Sequence, residues 1–256
     1  MEKYIFETKL LEISDKATII ILDYDDCDLL YNLIDQYFVK ICEGDSGSDL
    51  RSVKLQLKGY LKNKKNFQRI GAVAEFFAHL YFINNNFKQE CLFFNLEENS
   101  PKKGFDGVYT KNKELWIMES KARNAAKGVT HKANLKIAYN DLNDKFKGVV
   151  KRGQVNNPWK NAYNHACNIN VKTQENIRKT IKQISDDYIN QKFSDVSQYN
   201  IIPCSTIICE AKMDDLSKEN LINKIKVLLS EFKYQKVILF AISSRIYNSF
   251  IKYLEV

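Results

Sequence analysis

The segment LWIMESKA at residues 115–122 constrains the fold more than any other part of the sequence. Successive side chains of a β-strand point to opposite faces, and the first four residues of this segment are all apolar. A strand that is apolar on both faces is buried on both faces. Glu119 and Lys121 follow on one face, and a buried charge is costly unless it is paired. We therefore expect a sheet that is buried on both faces, with charged residues at the end of this strand that are paired or serve a function.

Other segments supply strands and helices for such a sheet. Apolar runs predict strands at residues 17–23, 90–96, 104–110, 201–211 and 236–242, and residues 104–110 and 115–122 form a hairpin. Helical spacing of apolar residues predicts helices at 27–41, 52–63, 68–83, 216–232 and 244–254. Strands covered by helices on both sides predict an α/β fold with a mixed central sheet.

The chain divides into two regions by character. Residues 1–66 form an N-terminal α/β region that is mostly helical, and residues 67–256 form the main domain. A helical insertion at about 123–198 is polar and rich in Lys and Asn. We see no internal repeat and no low-complexity linker.

Composition sets bounds on the class of protein. The hydrophobic fraction of 45% and only three prolines indicate a folded globular chain of one domain or two small ones. The formal net charge of +8 permits nucleic-acid binding, although a lysine-rich chain need not bind any. The six cysteines form no C-x-x-C pair, which favours reduced thiols. No apolar run is long enough to cross a bilayer, and the first residues lack a signal core, so we expect a cytoplasmic protein.

The predicted hairpin brings two carboxylates together. Asp106 lies in the strand at 104–110, and the hairpin places it beside Glu119. Two carboxylates at adjacent strand ends suit Mg²⁺, which usually takes one or two of them and completes its shell with water and phosphate oxygens. Lys121 shares the face of Glu119 and could hold a water or stabilise developing negative charge. These residues predict a metal-dependent hydrolase of phosphodiesters.

Glu75 interrupts the small and apolar face of the helix at 68–83, so its carboxylate could reach the same pocket. A glutamate beside an apolar stripe equally often reaches solvent or pairs with a lysine. His79 lies one turn later, and a structural role is the better interpretation of it. The hairpin acids themselves have a plainer alternative, in which they form cross-strand ion pairs at the surface.

At this point the residues resemble the PD-(D/E)xK nuclease superfamily. A helix carrying Glu75 precedes a hairpin carrying Asp106 and then Glu119-Ser-Lys121, within residues 69–121. Phe105 stands where the superfamily pattern has proline. More narrowly, RIGAVAEFFAHLYF, KKGFDGVYT and LWIMESKAR resemble the HamA family of the Hachiman anti-phage defence system.

The resemblance implies a restriction-endonuclease-like core and a magnesium-dependent (or manganese-dependent) DNA endonuclease controlled by a partner helicase. Asp106 and Glu119 would bind the metal with the main-chain carbonyl of Ser120, and Glu75 would support it. Lys121 would position the attacking water. Two alternatives stay open, namely a type II restriction endonuclease and a non-catalytic DNA-binding or assembly subunit with the same fold.

The insertion contains a basic segment that suits either duplex or single-stranded DNA. Its candidate contacts with nucleic acid are Arg123, Lys127, Lys132, Lys151 and Arg152. The aromatic residues Tyr139, Trp159 and Tyr163 are interleaved with basic ones, a pattern that suits the stacking of splayed bases. A solvated lysine-rich helical face explains the same pattern equally well.

Overall fold

The computed structural model describes residues 6–24, 28–94, 104–149, 157–209, 214–245 and 247–255. Its strands are β1 (Phe6–Ser14), β2 (Ala17–Tyr24), β3 (Lys88–Gln89), β4 (Gly107–Lys111), β5 (Glu114–Asn124), β6 (Asn200–Ile208) and β7 (Lys236–Ser244). Its helices are α1 (Asp28–Glu43), α2 (Leu50–Lys62), α3 (Asn66–Asn84), α4 (His131–Phe146), α5 (Pro158–Ala166), α6 (Glu175–Ile189), α7 (Asp215–Lys226), α8 (Leu228–Glu231) and α9 (Tyr247–Tyr253), with a 3₁₀ turn at Val196–Gln198.

All seven strands form one mixed sheet in the order β1-β2-β7-β6-β5-β4-β3. The central strands β2, β7, β6 and β5 are parallel, and the flanking pairs β1-β2, β4-β5 and β3-β4 are antiparallel. The predicted α/β fold with a mixed sheet flanked by helices is confirmed, and it is consistent with a restriction-endonuclease-like core. The strands β1 and β2 of the N-terminal region join the same sheet as the strands that follow the insertion.

The two faces of the sheet carry separate hydrophobic cores. We call the face covered by α1, α2, α3 and α9 the first face, and the face covered by α4 to α8 the second face. On β5, Met118 belongs to the first core and Ile117 to the second, and both are fully buried. The alternation of side chains then puts Glu119 and Lys121 on the second face, beside α4. The expectation that β5 is covered on both sides is confirmed.

The structure differs from the sequence predictions at three elements. The strand predicted at 90–96 is wrong for its described residues, because β3 ends at Gln89 and residues 91–94 form no strand. The N–H groups of Phe93 and Phe94 instead donate to the carbonyls of Ile41 and Cys42, which end α1, while both rings join the first core. The carbonyls of the last turn of an α-helix have no hydrogen-bond partner within the helix, and these two bonds satisfy two of them.

The other two differences concern β1 and the helix predicted at 216–232. The strand β1 was not predicted, and it lies at the sheet edge with Leu10 and Leu11 partly exposed. The predicted helix is divided at Val227 into α7 and α8. Among the described residues, no helix is both long and apolar enough to cross a membrane.

Candidate active site

The site is built where β4 separates from β5. The pairing of these strands runs from Lys111 with Glu114 to Gly107 with Met118, and β5 then continues to Asn124 beside β6 alone. Among the described residues, no strand pairs with the outer edge of β5 from Glu119 onward. A strand end of this kind exposes main-chain hydrogen-bonding groups, which a side chain can occupy.

Asp106 occupies that edge. Its Oδ2 accepts a hydrogen bond of 2.7 Å from the main-chain N–H of Ser120. The N–H and C=O of one strand residue point toward the same neighbouring strand, so the carbonyl of Ser120 is expected to face the same gap. The prediction that the hairpin brings Asp106 beside the Glu119 end of β5 is confirmed, with the correction that Asp106 precedes β4 rather than lying within it.

The residues around Asp106 explain its position. Phe105 is buried in the second core, with its ring centroid 4.8 Å from that of Trp159. A side chain at Gly107 would place its Cβ 2.7 Å from Cε2 of Tyr109, and one at Gly104 would place it 2.4 Å from Oδ1 of Asn161. The sequence GFDG therefore anchors one aromatic ring, permits two close approaches and presents the carboxylate of Asp106 to β5.

Glu119 is the most deeply buried charged group of the site. Only 5% of its side chain is exposed, and its two oxygens contact two lysines. Oε1 lies 2.9 Å from Nζ of Lys121, and Oε2 lies 2.5 Å from Nζ of Lys145. Burial raises the pKa of Glu119, and the neighbouring carboxylate of Asp106 raises it further against the opposing effect of both lysines.

Lys121 is held between two carboxylates. Its Nζ contacts Oε1 of Glu119 and lies 2.8 Å from Oδ2 of Asp141 on α4. Burial alone would lower the pKa of Lys121, but Glu119 and Asp106 outweigh it and raise the pKa above its usual value. The ammonium is therefore charged at neutral pH and fixed in direction, although a quarter of the side chain remains exposed.

Two residues of this site, Asp141 and Lys145, were missed by the sequence analysis. They lie one turn apart on α4 and continue the inward-facing row that includes Asn134 and Ala138. That helical spacing was the available signal, but it does not say which strand the row meets. Lys145 also donates to the carbonyl of Gly104 at 2.9 Å, so α4 contacts both the hairpin entry and β5.

Glu75 approaches from the first face of the sheet. It is half-buried on α3, a helix that packs against β5 and β6. Burial raises the pKa of Tyr109 well above its usual value and that of Cys204 to about 12, and the carboxylates of Glu75 and Asp106 contribute to both rises. The carboxylates of Glu75 and Asp106 therefore raise the pKa of the same two buried side chains, Tyr109 and Cys204. His79 is fully buried and hydrogen bonds to Tyr109 at 2.6 Å, which confirms its structural interpretation.

The donor set suits a hard cation better than a soft one. Within the described ranges, no three His, Cys, Asp or Glu side chains form a preformed metal site. Mg²⁺ does not need one, because one or two carboxylates with water and substrate oxygens complete its shell. Asp106, Glu119 and the carbonyl of Ser120 offer oxygen ligands only. The site holds three carboxylates and two ammonium groups, and Glu75 adds a further negative charge nearby. This excess of negative charge favours the binding of a cation.

Three of the five residues predicted to contact nucleic acid lie within the described part of the chain. Arg123, Lys127 and Lys132 are exposed, whereas Lys151 and Arg152 lie outside the described residues. The stacking interpretation is wrong for Trp159 and Tyr139. Trp159 is 1% exposed in the second core, and Tyr139 is buried with its ring stacked on that of Phe232 at 3.9 Å between centroids.

Comparison with known proteins identifies a family for the chain. No curated protein matches the chain. Residues 14–254 match the family described as HamA, a match that covers nearly the whole chain and includes every described site residue. The chain therefore belongs to the HamA family, whose members are proteins of the Hachiman type of anti-phage defence.

Proposed function

We propose that the protein is a magnesium-dependent DNA endonuclease of the PD-(D/E)xK type and the effector of an anti-phage defence system. The observation that carries the proposal is the convergence of Asp106, Glu119 and Lys121 at the unpaired edge of β5. A buried carboxylate next to a second one costs stability, and its raised pKa reflects that cost. Such a cost is typical of a functional site.

Each residue has a role that follows from its position. Asp106, Glu119 and the Ser120 carbonyl would hold Mg²⁺ or Mn²⁺, and Glu75 would support the metal from the opposite face. The bound metal would polarise the phosphodiester and lower the pKa of a coordinated water. Lys121, aimed by Asp141, would place the attacking water and stabilise negative charge that develops on phosphate.

The DNA would lie along the exposed edge beyond the site. Arg123 follows Lys121 on the same face of β5, and Lys127 and Lys132, which are also exposed, lie between β5 and α4 and in the first turn of α4. Contacts of this kind bind the phosphate backbone without reading sequence. An Arg123→Ala variant is expected to weaken DNA binding and to reduce the slope of log affinity against log salt by about 1.

Plasmid cleavage tests the catalytic assignment. Asp106→Ala and Lys121→Ala should abolish Mg²⁺-dependent cutting of supercoiled DNA, and the assay should be repeated on single-stranded DNA and RNA to define the substrate. Lys136→Ala is the matched control, because Lys136 lies exposed on α4 and pairs with Glu231 at 2.8 Å, away from the site. If the Asp106 and Lys121 variants cut as fast as wild type, the assignment is wrong.

Control of the nuclease by a partner helicase is a further part of the proposal. The DNA contacts proposed above read no sequence, so the nuclease would endanger its own genome without further control, and the family is a defence family. Co-purification of a helicase and stimulation of cleavage by it would support this control. A free chain that is fully active and retains no helicase would contradict it.

One observation favours a second candidate, a non-catalytic DNA-binding subunit. Both oxygens of Glu119 are already engaged by lysines, as in a structural ion pair. Such a subunit would bind DNA equally well without metal and would cut at no Mg²⁺ concentration. A type II restriction endonuclease would instead give discrete bands from a defined plasmid.

A further inference from the structure

Lys145 connects β5 with the segment before β4, and these two parts of the chain carry the proposed metal ligands. Its ammonium lies 2.5 Å from Oε2 of Glu119 on β5 and 2.9 Å from the carbonyl oxygen of Gly104, two residues before Asp106. Oxygens from two separate elements thus converge on one cation. Carboxylate and carbonyl oxygens are also the ligands that hard divalent cations prefer.

The two lysines of the site are held differently. Lys121 contacts two carboxylates, those of Glu119 and Asp141. Lys145 contacts one carboxylate and one neutral carbonyl. About a quarter of either lysine side chain is exposed, so the two differ in their carboxylate partners, and the flexible stem of Lys145 can carry its ammonium into solvent. Of the two ammonium groups on Glu119, that of Lys145 is the one more easily displaced.

We propose that Lys145 is a resident counter-ion of the metal site, which neutralises Glu119 in the metal-free protein and is displaced when a divalent cation binds. This inference rests on the proposed function, because it assumes that Glu119 is a metal ligand. It assigns a positioning role to α4, which supplies a cation that keeps the hairpin entry and β5 together before metal arrives. It also makes metal affinity the result of a competition between Lys145 and the incoming cation.

The competition has a consequence that a purely structural lysine would not have. Removing the ammonium should strengthen the binding of the divalent cation, because Glu119 no longer has to exchange one cation for another. A lysine that only supports the local structure would give weaker binding when removed, because the ligands would lose their spacing. The sign of the change in affinity therefore separates the two roles.

Calorimetric titration of Ca²⁺ into the DNA-free protein measures this sign. Lys145→Met keeps an unbranched stem of similar length and removes the charge. We expect it to bind Ca²⁺ about tenfold more tightly than wild type, which corresponds to about 1.4 kcal/mol. Lys145→Arg, which keeps the charge, should bind no more tightly than wild type. Lys136→Met, which removes a charge from the same helix without touching Glu119, should stay within about twofold of wild type.

The outcomes distinguish this inference from the proposed function. If Asp106→Asn removes Ca²⁺ binding but Lys145→Met binds equally or more weakly than wild type, the counter-ion role is refuted and the metal site stands. If wild type shows no binding that depends on Asp106, both proposals fall. Labelling of wild-type lysines with an amine reagent provides a test without a variant. Ca²⁺ should increase the labelling of Lys145 and leave that of Lys136 unchanged, and equal labelling of Lys145 with and without Ca²⁺ would refute displacement.

Discussion

Replacing Glu119 by glutamine should abolish cleavage without lowering the stability of the metal-free protein. The variant removes a charge and keeps the shape of the side chain. Burial and the Asp106 carboxylate together raise the pKa of Glu119 against the attraction of two lysines, so ionised Glu119 is less favourable in the folded protein than in the unfolded chain. Glutamine removes this unfavourable charge.

The size of the effect follows from the remaining contacts. After the substitution Lys121 keeps Asp141, and Lys145 keeps the carbonyl of Gly104 and its partial exposure. Neither ammonium is left buried alone, which is the situation that makes breaking an ion pair costly. We therefore expect Glu119→Gln to change the free energy of unfolding by between zero and about 2 kcal/mol in the stabilising direction. A gain of 1 kcal/mol would raise the Tm by about 2–4 °C in a chain of this size.

Urea unfolding with and without Mg²⁺, at several pH values, is the assay. A carboxyl with a raised pKa in the folded state destabilises the protein as pH rises above the unfolded value of 4.5 and through the folded pKa. The advantage of Glu119→Gln over wild type should therefore be present at pH 7 and vanish as pH falls below that window. Mg²⁺ should stabilise wild type alone. A metal-free variant that is less stable than wild type by more than about 1 kcal/mol at pH 7 would refute the reasoning.

Three further variants test the surroundings of the site. Asp141→Asn should slow cleavage about tenfold with little change in KM for DNA, because Lys121 loses the carboxylate that aims it, and an unchanged kcat would contradict this role. Trp159→Ala should cost about 3–5 kcal/mol of unfolding free energy in urea, since the ring is 1% exposed, whereas a base-stacking residue would lower DNA affinity at normal stability. His131 is buried between Ser205 and Ser243 with a pKa lowered by burial to about 4, so it must lose a proton on folding at acid pH. Wild type should lose about 2 kcal/mol between pH 7 and pH 5 through this group, and an equal loss in His131→Gln would contradict that assignment.

The sequence alone determined the hairpin and the order of its charged residues. Four consecutive apolar residues before Glu119 required a strand buried on both faces, and the alternation of side chains placed Glu119 and Lys121 together. The short turn between β4 and β5 then fixed Asp106 beside them. These features depend on neighbours within about twenty residues along the chain, which is the range over which periodicity carries information.

The tertiary structure alone decided what surrounds that hairpin. Asp141 and Lys145 reach the site because α4 packs its buried row, which includes Leu135 and Leu142, onto the second face of the sheet. The same packing buries Trp159, which sequence pattern alone left open to contact with bases. A helix shows from its sequence which side is apolar, but the strand it meets depends on how all the layers bury their apolar surface together. For that reason Asp106 and Glu119 could be predicted from the sequence, whereas Asp141 and Lys145 could not.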